Sequence, residues 1–152
     1  MRSRLRLVRL ARDERGVSVI EFGFFAPFLA LLVMGVIDLG RGLSERFSLQ
    51  QAVNRSLELV QARPASATAD ATDIDYTFVA TEAASAAGVP SNQVTLTRWR
   101  ECDGVAVTTY AGSCPSGQDQ ARYLRVRIEK SFTAQFLFTS IPMAASGALR
   151  IQ

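Results

Sequence analysis

A single carboxylate, Glu21, interrupts the otherwise apolar run of 21 residues from Val17 to Ile37. A charged side chain at the centre of a membrane helix costs about 2.5–3.5 kcal/mol on insertion scales, so its presence needs a reason. In a helix, Glu21 lies about 7 Å from the start of the run, where snorkelling towards the membrane surface lowers this cost. The carboxylate is therefore either an acid tolerated near the interface or a group that pairs with a cation.

Other residue types and spacings give little support for catalysis. The chain has no histidine, which removes the usual general base and a common metal ligand. Asp70, Asp73 and Asp75 surround the expected start of a helix, where a solvated cap accounts for them. The glycine-rich segment 112–117 lacks the lysine and the following helix of a phosphate-binding loop. We expect no enzyme activity, no cofactor and no metal.

The two cysteines, Cys102 and Cys114, are the remaining reactive pair. In a domain outside the cytoplasm they favour a disulfide that closes a loop of about 13 residues, worth roughly 3 kcal/mol in the chain-entropy model. Two free buried thiols are the alternative.

The basic residues are concentrated before the apolar run. Residues 1–16 contain six arginines and two acids, for a net charge of +4, whereas the rest of the chain carries −1. This asymmetry predicts a cytoplasmic basic leader, with the C-terminal part in the periplasm. It gives no support for nucleic-acid binding, which needs clustered positive charge in the folded part.

The apolar run has the length of a membrane span. Residues 17–37 reach about 30 Å as a helix, the thickness of the hydrocarbon core of a bilayer. Pro27 cannot donate its backbone hydrogen bond and predicts a kink near the middle. A cleaved secretory signal is the weaker interpretation, because its apolar region is usually 7–15 residues long and ends at an A-x-A-like site.

The elements that follow predict an α+β fold. Residues 38–62 continue the helix with amphipathic spacing, so we expect a nearly continuous helix from Val17 to Ala62. Residues 63–152 form the predicted exported domain, in which a short helix at 73–88 precedes a small antiparallel β-sheet. The predicted strands lie at 94–99, 105–108 and 123–128, with a hairpin turn at 103–104. Residues 132–152 are apolar but irregular, with an edge strand expected only at 148–151.

The first turns of the apolar run resemble a known processing site. Gly16-Val17-Ser18-Val19-Ile20-Glu21-Phe22 is similar to the site at which a prepilin peptidase cleaves type IV pilin-like proteins, after the glycine. The wider run, with Arg15-Gly16, Glu21-Phe22, Pro27, Gly35 and Asp38-Leu39-Gly40-Arg41, is similar to TadE-like pseudopilins of the tight-adherence (Flp) pilus system.

This resemblance implies a pilin-like fold and a role in assembly. Cleavage would fall between Gly16 and Val17, and Glu21 with Phe22 would set the register of the subunit in a filament. The implied partners are membrane lipid, a prepilin peptidase, other pilins and the pilus assembly platform. The large C-terminal domain suits a minor component of the pilus.

A second function fits the same topology and fold. An unprocessed bitopic membrane protein could anchor a small binding domain outside the cytoplasm. The two hypotheses differ at Gly16, because only the pseudopilin is cleaved there.

Overall fold

A computed structural model describes residues 15–62, 76–136 and 140–151. The predicted leader lies outside these residues, apart from its last two positions. The predicted loop between the two helices also lies outside them, as do Asp70, Asp73 and Asp75.

One long helix, α1, dominates the chain. It runs over Arg15–Ala62, 48 residues without a break, which corresponds to about 70 Å. The expected continuous helix is therefore confirmed. Its second half presents a buried face at helical spacing, formed by Leu49, Ala52, Val53, Ser56 and Val60. This face packs against the rest of the domain.

The short helix α2 spans Thr77–Ala87 and ends where the sequence predicts. Gly88 adopts a left-handed conformation, with φ of 63°, and the cap carries backbone hydrogen bonds back to Ala84 and Ser85. Glycine suits this position because it has no Cβ to clash there. One face of α2, including Val79 and Ala83, is buried in the core.

A four-stranded antiparallel sheet completes the fold. Its strands are β1 at Val94–Cys102, β2 at Val105–Val107, β3 at Gln120–Phe132 and β4 at Ile141–Arg150. Their order in the sheet is β2-β1-β3-β4. The α+β architecture of a long helix packed on a small antiparallel sheet is therefore confirmed.

The hairpin between β1 and β2 turns at the predicted residues. Asp103 and Gly104 both have positive φ, 51° and 78°. Two consecutive residues of this kind define the turn whose twist matches that of paired strands, and Asp-Gly is one of its preferred sequences.

The expectation for the C-terminal stretch is wrong. Instead of irregular chain with four edge residues, β4 forms a ten-residue strand that pairs with residues 123–132 of β3. Pro142 is accommodated opposite Ser131, at the start of a strand that lies at the sheet edge. An edge strand tolerates proline because one side of its backbone has no partner strand to bond. In the same stretch, Phe136 and Ile141 are about half exposed, whereas Leu137 and Phe138 lie outside the described residues.

Four arginines of β1 and β3 lie on two different faces of the sheet: Arg98, Arg100, Arg125 and Arg127. Arg98 pairs with Leu124, whose side chain is fully buried on the helix side, whereas Arg125 pairs with Thr97 on the other side. Because residues of a strand alternate between faces, the register divides the four arginines into two pairs.

The strand β4 runs alongside α1 in the same direction. Near the start of β4, the side chain of Met143 lies against α1 at Gly42. The side chain of Phe132, in β3, lies against the same position. Further along, Gly147 approaches Val53 and Leu57. The end of the sheet containing Phe132 and Ile141 is therefore near the apolar half of α1, and we call it the proximal end. Cys102 and Arg150 mark the distal end.

The close approach at Gly147 predicts a packing defect when a methyl group is added. A Cβ there would lie 2.8 Å from Leu57 Cδ1 and 2.9 Å from Val53 Cγ1. We expect Gly147→Ala to lower the free energy of unfolding by about 1–3 kcal/mol, the usual cost of overpacking. Thermal unfolding of the full chain in detergent measures the change. Gly40→Ala is the matched control, because a Cβ there meets nothing within 4 Å and should be neutral or stabilising. Equal stability of both variants would contradict the packing argument.

Candidate functional site

The first half of α1 projects from the domain with its apolar side chains exposed. Side chains from Val19 to Ile37 point away from the helix on all sides, and Ile20, Phe22 and Phe24 are each at least 67% exposed. A helix that is apolar all round requires an apolar environment. Within the described residues, one helix has the length and composition to cross a membrane, with a mean hydropathy of 2.2 in its most apolar window. The described part of the chain therefore has one N-terminal segment suited to membrane anchoring.

The predicted cleavage residues lie at the beginning of this helix. α1 starts at Arg15, so Gly16 and Val17 both have helical backbone. Cleavage between them would shorten the helix by two described residues and leave the apolar run intact. Cleavage itself remains a prediction.

The side chain of Glu21 is exposed on the apolar surface, beside exposed Phe22. Among the described residues it makes no hydrogen bond or ion pair with the rest of the chain. Its nearest acidic neighbour on α1 is Asp38, 17 positions away, or about 25 Å along the helix. Among the residues that the structure describes, no part of the sheet domain approaches Glu21.

Pro27 lies within α1, which continues on both sides of it. The missing backbone donor leaves one carbonyl in the preceding turn without its usual partner. Whether the helix bends there stays a prediction.

A second acid, Asp38, lies where the apolar run ends, and it is only 2% exposed. Its carboxylate accepts the backbone N–H groups of Gln135 (3.0 Å) and Phe136 (2.9 Å), in the connection between β3 and β4. Arg41, one turn later, donates to the side chain of Gln135. These bonds fasten the β3–β4 connection to the helix.

Asp38 belongs to the motif Asp38-Leu39-Gly40-Arg41, but its structural role was not predicted from the sequence. Its partners are 97 and 98 positions away, so no local pattern reveals them. The available signal was an acid at the boundary of an apolar run, which needs hydrogen-bond donors when it is buried.

Cys102 and Cys114 are joined by a disulfide at the distal end. The bond ties the last residue of β1 to the loop between β2 and β3. The free-thiol alternative does not describe this structure.

Next to the disulfide, two buried arginines hold the same loop. Arg100 donates to the carbonyl of Ala111 (3.0 Å), and Arg122 donates to that of Gly112 (2.8 Å). The guanidinium of Arg98 lies 5.0 Å from the centre of the Tyr110 ring. Burial raises the pKa of Tyr76, which packs beside this cluster. The arginines on this face therefore have local structural roles.

A comparison with protein families finds a match within α1. Residues 16–56 match the TadE-like protein family. The match begins at the predicted cleavage site and ends within the part of α1 that packs on the sheet. It confirms the resemblance inferred from Arg15 to Arg41, and the matched family suggests involvement in the Tad pilus system. No curated protein and no solved structure matches the chain significantly.

The TadE-like segment, residues 16–56, thus contains both acids of interest, Glu21 and Asp38. It also contains the first part of the buried face of α1, from Leu49 to Ser56. The α2 helix and the sheet lie outside it. Within this segment, Asp38 is satisfied by the chain's own backbone and Glu21 is not.

The role of Asp38 can be tested by removing its carboxylate. Asp38→Ala leaves two backbone donors of the β3–β4 connection without their acceptor, so we expect a loss of about 1.5–3 kcal/mol in unfolding free energy. Asp38→Asn retains one acceptor oxygen and should lose less. Denaturant unfolding of the full chain in detergent, followed by the fluorescence of Trp99, measures both.

Glu58→Ala serves as the control, since Glu58 is an exposed acid on the same helix. A loss for Glu58→Ala as large as that for Asp38→Ala would show that the effect comes from helix charge and not from the two hydrogen bonds.

Proposed function

We propose that this chain is a minor pilin-like subunit of a tight-adherence pilus system. It is inserted in the inner membrane as a single-pass protein, with its N-terminus in the cytoplasm and its sheet domain in the periplasm. A prepilin peptidase then cleaves it between Gly16 and Val17. The observation that carries the proposal is the TadE-like match on a helix whose apolar half extends from a folded domain with its large apolar side chains exposed.

Cleavage changes what the helix can do. Removal of residues 1–16 eliminates six arginines, which are the main charge barrier to movement out of the membrane on the cytoplasmic side. The remaining helix begins with Val17 and is apolar as far as Ile37, apart from Glu21. Such a surface packs equally well against lipid tails and against the apolar helices of other subunits.

Glu21 would favour the movement of the helix from the membrane into a filament. An unpaired carboxylate in an apolar helix bundle is costly, and a cation from a neighbouring subunit relieves that cost. Cleavage creates such a cation, the amine of Val17. Pairing between Glu21 of one subunit and the Val17 amine of the next would fix their axial register, much as a buried polar residue fixes the register of a coiled coil. Phe22, exposed beside Glu21, would pack at the same level.

The proposed partners follow from these steps. The peptidase acts at Gly16, other pilins contact the apolar half of α1, and the assembly platform moves the subunit out of the membrane. The sheet domain is held outside the helix bundle by the second half of α1, where Leu49 and Val53 anchor it.

The first test is the mass of the mature protein. In cells that make the pilus, we expect the membrane-extracted chain to begin at Val17, as measured by intact mass and N-terminal sequencing. Gly16→Leu places a bulky side chain at the scissile bond and should leave the chain uncleaved. Ala26→Leu is a control within the same helix and should be processed normally. A wild-type chain that begins at Met1 in piliated cells would instead support the unprocessed membrane anchor.

The second test removes the carboxylate of Glu21. Because Glu21 lies within the helix and not at the scissile bond, Glu21→Ala should still be cleaved. The loss of one member of a buried ion pair costs about 3–5 kcal/mol per contact, so incorporation into pili should fall strongly. Immunoblots of sheared pili and membrane fractions measure the partition between the two. Glu58→Ala is again the control. Normal pili in cells whose only copy is Glu21→Ala would refute this role.

A further inference from the structure

The proximal end of the sheet domain carries apolar side chains that its own fold does not cover. Phe136 is 47% exposed and Ile141 is 42% exposed. On α1, Leu39 and Leu43 are also exposed and lie one above the other, four residues apart. Ile141, Leu39 and Leu43 line one cleft of about 180 Å³. We call these four residues the proximal patch.

Hydrogen bonds fix the level of this patch along α1. The backbone N–H of Phe136 is bonded to Asp38, the first residue after the apolar run. The run of 21 residues from Val17 to Ile37 spans about 30 Å, which equals the hydrocarbon core of a bilayer. When the run spans a membrane, Phe136 must therefore lie at the boundary between hydrocarbon and headgroups.

The charges around the patch suit a lipid surface. Arg41 is exposed on the helix, and Arg46 lines the same cleft as Leu39 and Ile141. The two nearest acids in the described part of α1 are already engaged, Asp38 by backbone N–H groups and Glu45 by Lys130. Apolar side chains flanked by arginines are typical of segments that lie in the interface of anionic membranes.

We propose that the proximal patch is a second lipid contact of this protein. The sheet domain rests on the membrane surface, with Phe136 and Ile141 at the boundary of the acyl chains and Arg41 facing lipid phosphates. The contact is continuous with the membrane span and sets the orientation of the domain relative to the bilayer. It depends on the membrane-spanning role of α1 and is independent of cleavage and pilus assembly.

Tryptophan quenching by lipids with brominated acyl chains tests this contact. The full chain has one tryptophan, Trp99, which pairs with Tyr123 near the distal end, nine positions along the sheet from Phe132 and Ile141, or about 30 Å away. In nanodiscs of brominated anionic lipid, wild-type Trp99 should be unquenched. Phe136→Trp in a Trp99→Phe background should be quenched several-fold more strongly.

Phe47→Trp in the same background is the matched control. Phe47 is 65% exposed on α1, but it lies about 15 Å beyond Ile37, outside the headgroup layer. Ile141→Trp provides a second position within the patch in case Phe136→Trp does not fold, which near-UV circular dichroism reveals.

Two results would overturn the proposal. One is quenching at positions 136 and 141 that is no stronger than at position 47 in folded protein. The other is shielding of position 136 from aqueous acrylamide only when two chains share a nanodisc, without quenching by lipid. The second result would assign the patch to contacts between subunits.

Discussion

One uninterrupted helix has to be stable in two different environments, and this constraint organises the molecule. The hydrogen bonds of an α-helix are internal, so α1 can leave a membrane and enter a protein core without a break in its backbone. Only its surface changes. From Val19 to Ile37 it is exposed all round and, apart from Glu21, apolar, whereas from Leu49 to Val60 it is buried on one face against the sheet and α2.

The change between these environments occurs at Asp38. A buried carboxylate is unfavourable unless donors satisfy it, and charge-assisted bonds from backbone N–H groups are among the stronger hydrogen bonds. Here the donors come from the connection between β3 and β4. The same bonds that stabilise Asp38 therefore fix the proximal end of the sheet to the end of the apolar run.

Much of this fold could be predicted from the sequence because its signals are local. The length of α1, the end of α2 at Gly88 and the turn at Asp103-Gly104 depend on residues close together in the chain. The edge strand β4 and the division of the arginines between two faces could not be predicted in this way, because both depend on how the strands pair. Asp38 shows the same limit most clearly, since its partners follow almost a hundred positions later. The candidate assembly residues were located by resemblance, and the family match now covers them.

Glu21 and Asp38, the two acids of interest in the TadE-like segment, have the same charge but differ in burial and in hydrogen-bond partners. Asp38 is buried, and the fold itself supplies its donors, so its carboxylate contributes to the structure of a single subunit. Glu21 lies about 25 Å away on a part of α1 that the sheet domain does not reach. The described part of the domain therefore supplies no partner for its charge. Within lipid the carboxylate can snorkel to the surface, but in a bundle of helices that route is closed. In the assembly proposed above, the amine that cleavage after Gly16 creates would stabilise this carboxylate, and that pairing would couple the proposed processing step to assembly.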